Sequence, residues 1–150
     1  LIDRAKYPNL EYFCQSVEHP SVSANAVDLP VRRVTAVPLP GDKITHGEIG
    51  FTIILDEEMT AYNEMHNWLQ RLVNEGQVGP SGRDTKFPTF ADITLMILSS
   101  HNNTTQKIRY RDCIPVSLGG INFTSTTGTV TYLTFTASFR FSTFEIIKQS

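Results

Sequence analysis

The chain has 150 residues, 40% of them hydrophobic, and its thirteen Lys and Arg residues against fifteen Asp and Glu residues give a formal net charge of −2. This size and apolar content suit one domain spanning residues 1–150, and the near balance of charge excludes general attraction to nucleic acid or an anionic membrane. No apolar run reaches the roughly 18 residues that span a bilayer, so we expect no membrane partner.

The first third of the chain predicts a strand, a loop and an extended arm. Residues 12–17 are apolar and aromatic, which is typical of a strand, and the polar run 19–25 predicts a loop. Residues 28–41 carry chain breakers too closely spaced for a long helix or a central strand, so we interpret them as an arm. These breakers are Pro30, Pro38, Pro40 and Gly41.

A strand and then a helix follow the arm. Residues 49–55 are rich in branched and aromatic side chains, which predicts a strand. Asp56 can accept hydrogen bonds from the first amides of a helix, and Glu57 and Glu58 suit the positive end of its dipole. Apolar residues then recur at helical spacing until Gly76, which predicts one face packed on a sheet. They are Met59, Tyr62, Met65, Trp68, Leu69, Leu72 and Val73.

The pattern after the helix predicts a loop and a hairpin. Residues 76–90 contain Gly and Pro breaks among polar residues, and we expect a mobile surface loop there. Residues 91–99 and 106–113 then read as strands on either side of a turn at 102–104. In the second of these strands apolar residues alternate with basic ones.

The last predicted strand, residues 131–142, alternates almost without error between a core face and a polar face. Twelve residues span roughly 40 Å, about twice a common strand. We therefore expect a small sheet to leave part of this strand unpaired and open to a neighbouring subunit. Its predicted polar face carries Thr134, Thr136, Ser138 and Arg140.

These elements predict an α+β fold, in which one helix packs on a mainly antiparallel sheet, sandwich or open barrel. The single helix lies among strands, and no internal repeat points to a solenoid. The predicted core side chains of the strands and the helix are Phe51, Ile53, Leu55, Trp68, Phe135 and Phe139.

The residues predict no catalytic, metal or cofactor site. His46 with Glu48, or His66, could support a small hydrolase, but no nucleophile or orienting group accompanies them. Cys14 and Cys113 lack the spacing of a zinc site, so we expect packed thiols.

A basic row leaves one alternative open. Lys107, Arg109 and Arg111 share a strand face, which would suit a monomeric or dimeric β-rich module that binds a ligand or glycan. Three such charges are more often a solvated face, or partners of ion pairs.

The order of these elements resembles the tail-tube family of contractile-tailed bacteriophages, over roughly residues 49–144. The likeness is closest to the tube protein and to the baseplate proteins that initiate the tube. Its carriers are Phe51-Thr52-Ile53-Ile54-Leu55-Asp56-Glu57-Glu58, Tyr62 to Trp68, Asp92 to Leu98, Asp112-Cys113-Ile114-Pro115-Val116-Ser117 and Thr134 to Phe141.

This resemblance implies a homohexameric ring in which the sheets of six copies complete one β-barrel, with rings stacked into a channel for the genome. The implied partners are sister copies and neighbouring tube, sheath or baseplate proteins, while DNA passes through the lumen without specific binding. The protein would be made in the host cytoplasm and reside in the virion. The resemblance leaves open whether the chain is a repeating tube subunit, a baseplate initiator, or a terminator or hub.

The resemblance also implies roles for particular residues. The polar face of the last strand would line the lumen, with Thr134, Thr136, Ser138 and Arg140. The arm and the loop would contact adjacent subunits or rings. Their expected contact residues are Asp28, Pro30, Val31, Arg32, Arg33, Pro38, Gly41, Gly79, Ser81, Arg83 and Asp84.

Overall fold

The structure is a computed structural model that describes residues 7–30, 36–75, 89–125 and 132–148. In these residues, no helix is long and apolar enough to cross a lipid bilayer. The elements in chain order are α1 (Pro8–Phe13), β1 (Cys14–Glu18), β2 (Val22–Pro30), β3 (Ala36–His46), β4 (Ile49–Ile54), α2 (Thr60–Glu75), β5 (Ala91–Leu98), β6 (Thr104–Leu118), β7 (Thr134–Arg140) and β8 (Thr143–Lys148).

The main sheet is antiparallel and curled, with strand order β1-β4-β7-β6-β5, so the predicted fold class is confirmed. β6 is long and pairs with different strands along its length. Its first part lies between β5 and β8, and its last part pairs with β7. The second sheet is the separate two-stranded hairpin of β2 and β3.

The core lies between one face of the main sheet and the two helices. On β4 and β7 every second residue is buried, since alternate side chains of a strand point to opposite faces. Trp68 of α2 is 1% exposed, stacks on Tyr7 at 4.3 Å and packs on Phe139 at 5.5 Å between ring centroids. Its indole N–H donates to the carbonyl of Thr89 at 3.1 Å, so the aromatic core keeps its polar atom paired.

The predicted core positions are placed as follows. Phe51, Ile53, Phe135 and Phe139 are all at most 5% exposed, and Leu55 is half-buried at the edge of the core. On the helix, the predicted position Val73 is instead 63% exposed. The buried stripe of α2 consists of Ala61, Met65 and Trp68, with Tyr62 and Leu72 beside it.

The start of α2 differs from the prediction in one detail. The helix begins at Thr60, after a turn in which the Met59 amide donates to the Asp56 carbonyl at 3.0 Å. The Asp56 carboxylate accepts hydrogen bonds from the amide of Thr60, at 3.1 Å, and from its hydroxyl. Burial alone would raise the pKa of Asp56, but these hydrogen bonds outweigh it and lower the pKa. Gly76, the predicted helix terminator, lies outside the described residues.

The predicted strand at 12–17 is wrong in its first two residues. Pro8 occupies the first turn of α1, where its missing N–H costs no hydrogen bond, and the helix continues through Phe13. Only then does β1 begin, pairing with β4. Tyr7, directly before the helix, stacks on Trp68 of α2. The local sequence pattern of residues 12–17 does not predict such a long-range contact.

The predicted arm at 28–41 lies within a longer hairpin. β2 and β3 pair from Val22–His46 at the root to Pro30–Ala36 at the far end, so the predicted loop at 19–25 is wrong from Val22 onward. A two-stranded ribbon has only edge strands, which is why it tolerates prolines in both of them.

The hairpin of β5 and β6 agrees with the hairpin predicted from the sequence. β5 and β6 meet at a turn in which the Asn102 amide donates to the Ser99 carbonyl at 2.9 Å, and Asn102 has a φ of 63°. Asparagine tolerates that left-handed conformation better than most residues. β6 extends further than predicted, to Leu118.

The predicted single strand at 131–142 is wrong in its extent. β7 ends at Arg140, the chain bends at 141–142, and β8 continues to Lys148 along the same partner, β6. The bend matches one in β6, where Asp112 has a φ of 52° and its carboxylate accepts a 2.9 Å hydrogen bond from the Ser142 hydroxyl.

The expectation that part of this strand is unpaired is also wrong for the middle of β7. β7 pairs with β4 on one side and with β6 on the other, within one molecule. The argument for assembly from an unpaired final strand therefore fails at β7. The strands that remain open are at other places in the sheet.

Candidate assembly surfaces

Three strands of the main sheet pair on one side only within the part of the chain that the structure describes. β1 pairs with β4, β5 with β6, and β8 with β6. Their other edges present backbone N–H and C=O groups that another strand can use. β8 also exposes Ile146 (58%) and Ile147 (45%), which is unusual for an edge that meets only water.

The solvent face of β7 belongs to a belt of small hydroxyl side chains. Thr52 of β4 lies opposite Ser16 on one side and Thr136 on the other, and Ser138 lies opposite Ser117 of β6. This face, which we call the hydroxyl face, holds a shallow groove of about 270 Å³. Small hydroxyls offer a passing macromolecule few strong contacts.

The other predicted lumen residues extend this face. Thr134 is half-buried and Arg140 is exposed at the two ends of β7. The Glu18 side chain of β1 lies on this face beside Gly50 of β4, because a Cβ added to Gly50 would lie 3.6 Å from the Glu18 carboxylate. The acidic Glu18 and the basic Arg140 therefore lie among the hydroxyls of this face.

Close packing across the hydroxyl face requires a glycine after β6. The Gly119 amide donates to the Thr136 carbonyl at 2.6 Å, and a Cβ on Gly119 would lie 2.2 Å from the Thr136 hydroxyl oxygen. Gly119 is therefore needed for the close approach of this segment to β7.

The hairpin of β2 and β3, which we call the arm, has one apolar face. The cross-strand pairs Val27–Leu39 and Leu29–Val37 lie side by side, and all four residues are between 42% and 58% exposed. Its opposite face carries the pairs Ala26–Pro40 and Asp28–Pro38. An isolated two-stranded hairpin is only marginally stable in water. We therefore expect the apolar face of the arm to pack against a partner surface.

The predicted contact residues are only partly described. Asp28 and Pro38 face each other on the arm, and Pro30 pairs with Ala36 at its far end. Gly41 sits at a bulge where a Cβ would lie 1.8 Å from the Asn25 carbonyl oxygen, so only glycine fits. The remaining predicted contacts lie outside the described residues. They are Val31, Arg32, Arg33, Gly79, Ser81, Arg83 and Asp84, the last four within the predicted loop at 76–90.

The root of the arm is an aromatic cluster containing two histidines. His46 ends β3 with its ring near Phe141 and Phe144, and His19 contacts Phe144 from the start of the arm. His19 Nδ1 lies 2.6 Å from the hydroxyl of Tyr110, whose pKa burial raises to about 12. Packing against aromatic rings explains both histidines structurally.

The residues considered for hydrolysis do not form one site. Glu48 is exposed, His46 lies among phenylalanines, and His66 stacks on Tyr62 on α2. Burial raises the pKa of Cys113 to about 12 and also raises that of Cys14, which disfavours thiolate chemistry. No group of three or more His, Cys, Asp or Glu side chains that could hold a metal occurs in the described ranges.

The basic row of β6 is largely neutralised within the chain. Arg109 pairs with Asp92 at 2.8 Å, and Arg111 pairs with Glu145 at 2.9 Å. Burial alone would raise the pKa of Asp92, but hydrogen bonds from Arg109 and from the Asp112 amide lower it. These pairs tie β5, β6 and β8 together and leave little free charge for an anionic ligand.

Open edges on a curled sheet and an arm with an exposed apolar face are features typical of proteins that assemble through their surfaces. Comparison with known families agrees. The family model described as "Phage tail tube protein" matches residues 2–147. The chain therefore belongs to the phage tail tube protein family, and the resemblance inferred from its sequence is confirmed.

Solved structures share the fold at low sequence identity. A chain of the anti-feeding prophage (AFP) baseplate matches with a TM-score of 0.65 and 12% identity, over 90% of this chain and 80% of that one. A chain of the sheath-tube complex of an extracellular contractile injection system, PVC, gives 0.61 and 12%, over 89% and 80%. A crystal structure of Hcp protein gives 0.50 and 10%, over 91% and 76%.

A comparison with curated proteins finds no match. The family and the fold together support a structural role in a tube.

Proposed function

We propose that residues 1–150 form one domain that assembles into hexameric rings, and that the rings stack into the tube of a phage tail or a related contractile particle. The family match over residues 2–147 is the observation that carries this proposal. In this proposal the copies pair through the open edges of β1, β5 and β8, because a heterologous contact repeated around a closed ring leaves no edge unpaired.

The hydroxyl face would line the channel. Four strands, β1, β4, β7 and β6, carry this face in each copy. Six copies spaced at about 4.8 Å per strand give a circumference of roughly 115 Å, and hence a channel roughly 37 Å across at the backbone. DNA would slide past Thr136 and Ser138 without specific binding.

The arm would contact neighbouring subunits or rings through its apolar face, and Asp28, Pro30, Pro38 and Gly41 lie in this arm. The predicted loop at 76–90 is proposed to contact adjacent rings as well. Sister copies and neighbouring tube, sheath or baseplate proteins are thus the proposed partners. Residence in the virion and synthesis in the host cytoplasm belong to the same proposal.

We further propose that the chain is not an enzyme. The support is the separation of His46, Glu48 and His66 and the burial of Cys113, together with membership of a structural family. His19 and His46 at the root of the arm pack against aromatic rings.

Light scattering after size-exclusion chromatography, combined with negative-stain electron microscopy, tests the proposal on the purified protein. We expect particles of six-subunit mass, rings with a central channel, and stacks of rings as concentration rises. A strictly monomeric protein at tens of micromolar, with no rings on the grid, would refute ring formation and favour a monomeric binding module.

A further inference from the structure

A cavity of about 90 Å³ lies where the curling of the sheet brings β1 round toward β5. Glu11 of α1 and Cys14 at the start of β1 stand beside it. It is smaller than the apolar cavity of about 150 Å³ that accepts a benzene molecule, so it can take only the end of one extended side chain. Its walls are mainly apolar and aromatic, formed by Val17, Phe51, Ile93, Leu95 and Tyr110.

The carboxylate of Glu11 distinguishes this cavity, which we call the Glu11 pocket. Its Oε2 atom is shielded from solvent and has no hydrogen-bond partner among the described residues. The neighbouring polar groups of α1 are engaged elsewhere, since the Asn9 side chain donates to Glu64 at 2.6 Å and the Leu10 amide donates to it at 3.3 Å. A desolvated carboxylate oxygen without a donor is costly, so the site favours a ligand that supplies one.

The chemistry of the pocket specifies that ligand. Apolar walls suit an aliphatic stem, aromatic rings attract a cation, and Glu11 offers a free acceptor at the same place. A lysine or arginine side chain combines these three properties. The pocket also borders the open edges of β1 and β5, where the proposed assembly brings copies together.

We propose that the Glu11 pocket receives a basic side chain from a second copy of the chain, and that Lys43 of the arm supplies it. Lys43 is exposed at the bulge of β3 and has no ion-pair partner in the described parts of the chain. The arm projects from the main sheet, so its bulge can reach a neighbour. This inference rests on the proposed ring assembly and adds to it a specific contact.

The substitution Glu11→Gln separates a role between copies from a role within one copy. We expect the concentration at half-assembly to rise about tenfold or more, the scale of a partly buried charge-assisted hydrogen bond. The melting temperature of the monomer, measured below the assembly concentration, should stay level or rise, because a desolvated amide costs less than a desolvated charge. Glu48→Gln, which changes an exposed carboxylate outside the pocket, is the matched control.

Two results would overturn the pocket's role. One is wild-type assembly by Glu11→Gln. The other is a monomer that loses stability as much as the assembly does, which would assign the partner of Glu11 to its own chain. If the wild-type protein forms no rings, the proposed function is refuted. If it forms rings and Glu11→Gln assembles equally well, only the proposed role of the Glu11 pocket is refuted.

A double-mutant cycle tests the identity of the donor. If Lys43 enters the pocket, Lys43→Gln should weaken assembly as Glu11→Gln does, and the double variant should be little worse than either single one. Additive effects of the two substitutions would exclude Lys43 as the donor.

Discussion

The apolar face of the arm gives the sharpest test of how copies hold together. Leu29 and Leu39 are diagonal neighbours on this face and are 47% and 42% exposed in the single chain. Fully burying a leucine side chain stabilises by about 1.5–3 kcal/mol, so covering the exposed half of each on assembly contributes about 1 kcal/mol. The double substitution Leu29→Ser and Leu39→Ser should then cost about 2 kcal/mol per contact, roughly a thirtyfold rise in the concentration at half-assembly.

The assay is light scattering against protein concentration, with ring counts by negative-stain microscopy. The melting temperature of the monomer should change little, since neither leucine belongs to the core. Val22→Ser is the matched control: Val22 is 50% exposed on the same arm but lies at its root, opposite His46. Equal weakening by the control, or undisturbed assembly of the double variant, would refute the reasoning that the four-residue apolar face is the contact.

Three further predictions concern the fold itself. Gly119→Ala should lower the monomer's melting temperature, because its Cβ would meet the Thr136 hydroxyl, and adding Thr136→Ala should restore part of the loss; strict additivity in thermal unfolding would contradict this. Asp112→Val should destabilise by about 2 kcal/mol, since a β-branched residue resists a φ of 52°, whereas Asp112→Gly should cost far less; equal losses in urea unfolding would exclude backbone strain as the cause. The lowered pKa of Asp56 means that its carboxylate stabilises the fold above its ordinary pKa of 3.8, and that this contribution is lost as pH falls through the lower folded value. Asp56→Asn should therefore destabilise at pH 7 and converge with wild type as the pH falls well below 3.8, and a difference in melting temperature that stays constant over this fall would contradict the linkage.

The local elements were predictable because their signals are local. The alternation of 49–54 and 134–140, and the helical spacing of apolar residues after Asp56, each report a face that must be buried. The hairpin of β5 and β6 follows from its Asn-containing turn. These elements also carry the family resemblance.

The errors arose where distant parts of the chain decide the structure. Residues 12–13 belong to a helix that follows Tyr7, and Tyr7 stacks on Trp68, which is remote in sequence. The final strand breaks at 141–142, opposite the bend at Asp112 in its partner strand, and the Ser142 hydroxyl donates a hydrogen bond to Asp112 there. Burial of Glu11 beside β5 likewise depends on how far the sheet curls, and nothing near Glu11 in the sequence signals it.

Because β7 lies in the middle of the main sheet, contacts between copies are expected at other strands. The middle of β7 has β4 on one side and β6 on the other, so we expect sheet pairing between copies to use the open edges of β1, β5 or β8. β8 extends the line of β7 past the first residue of β4, and so its edge on that side is open. The edges differ in length and side chains, so a contact between unlike edges is heterologous. Such a contact closes into a ring only when its rotation divides a full turn; the arm, by engaging a second copy at a distance, would fix that rotation.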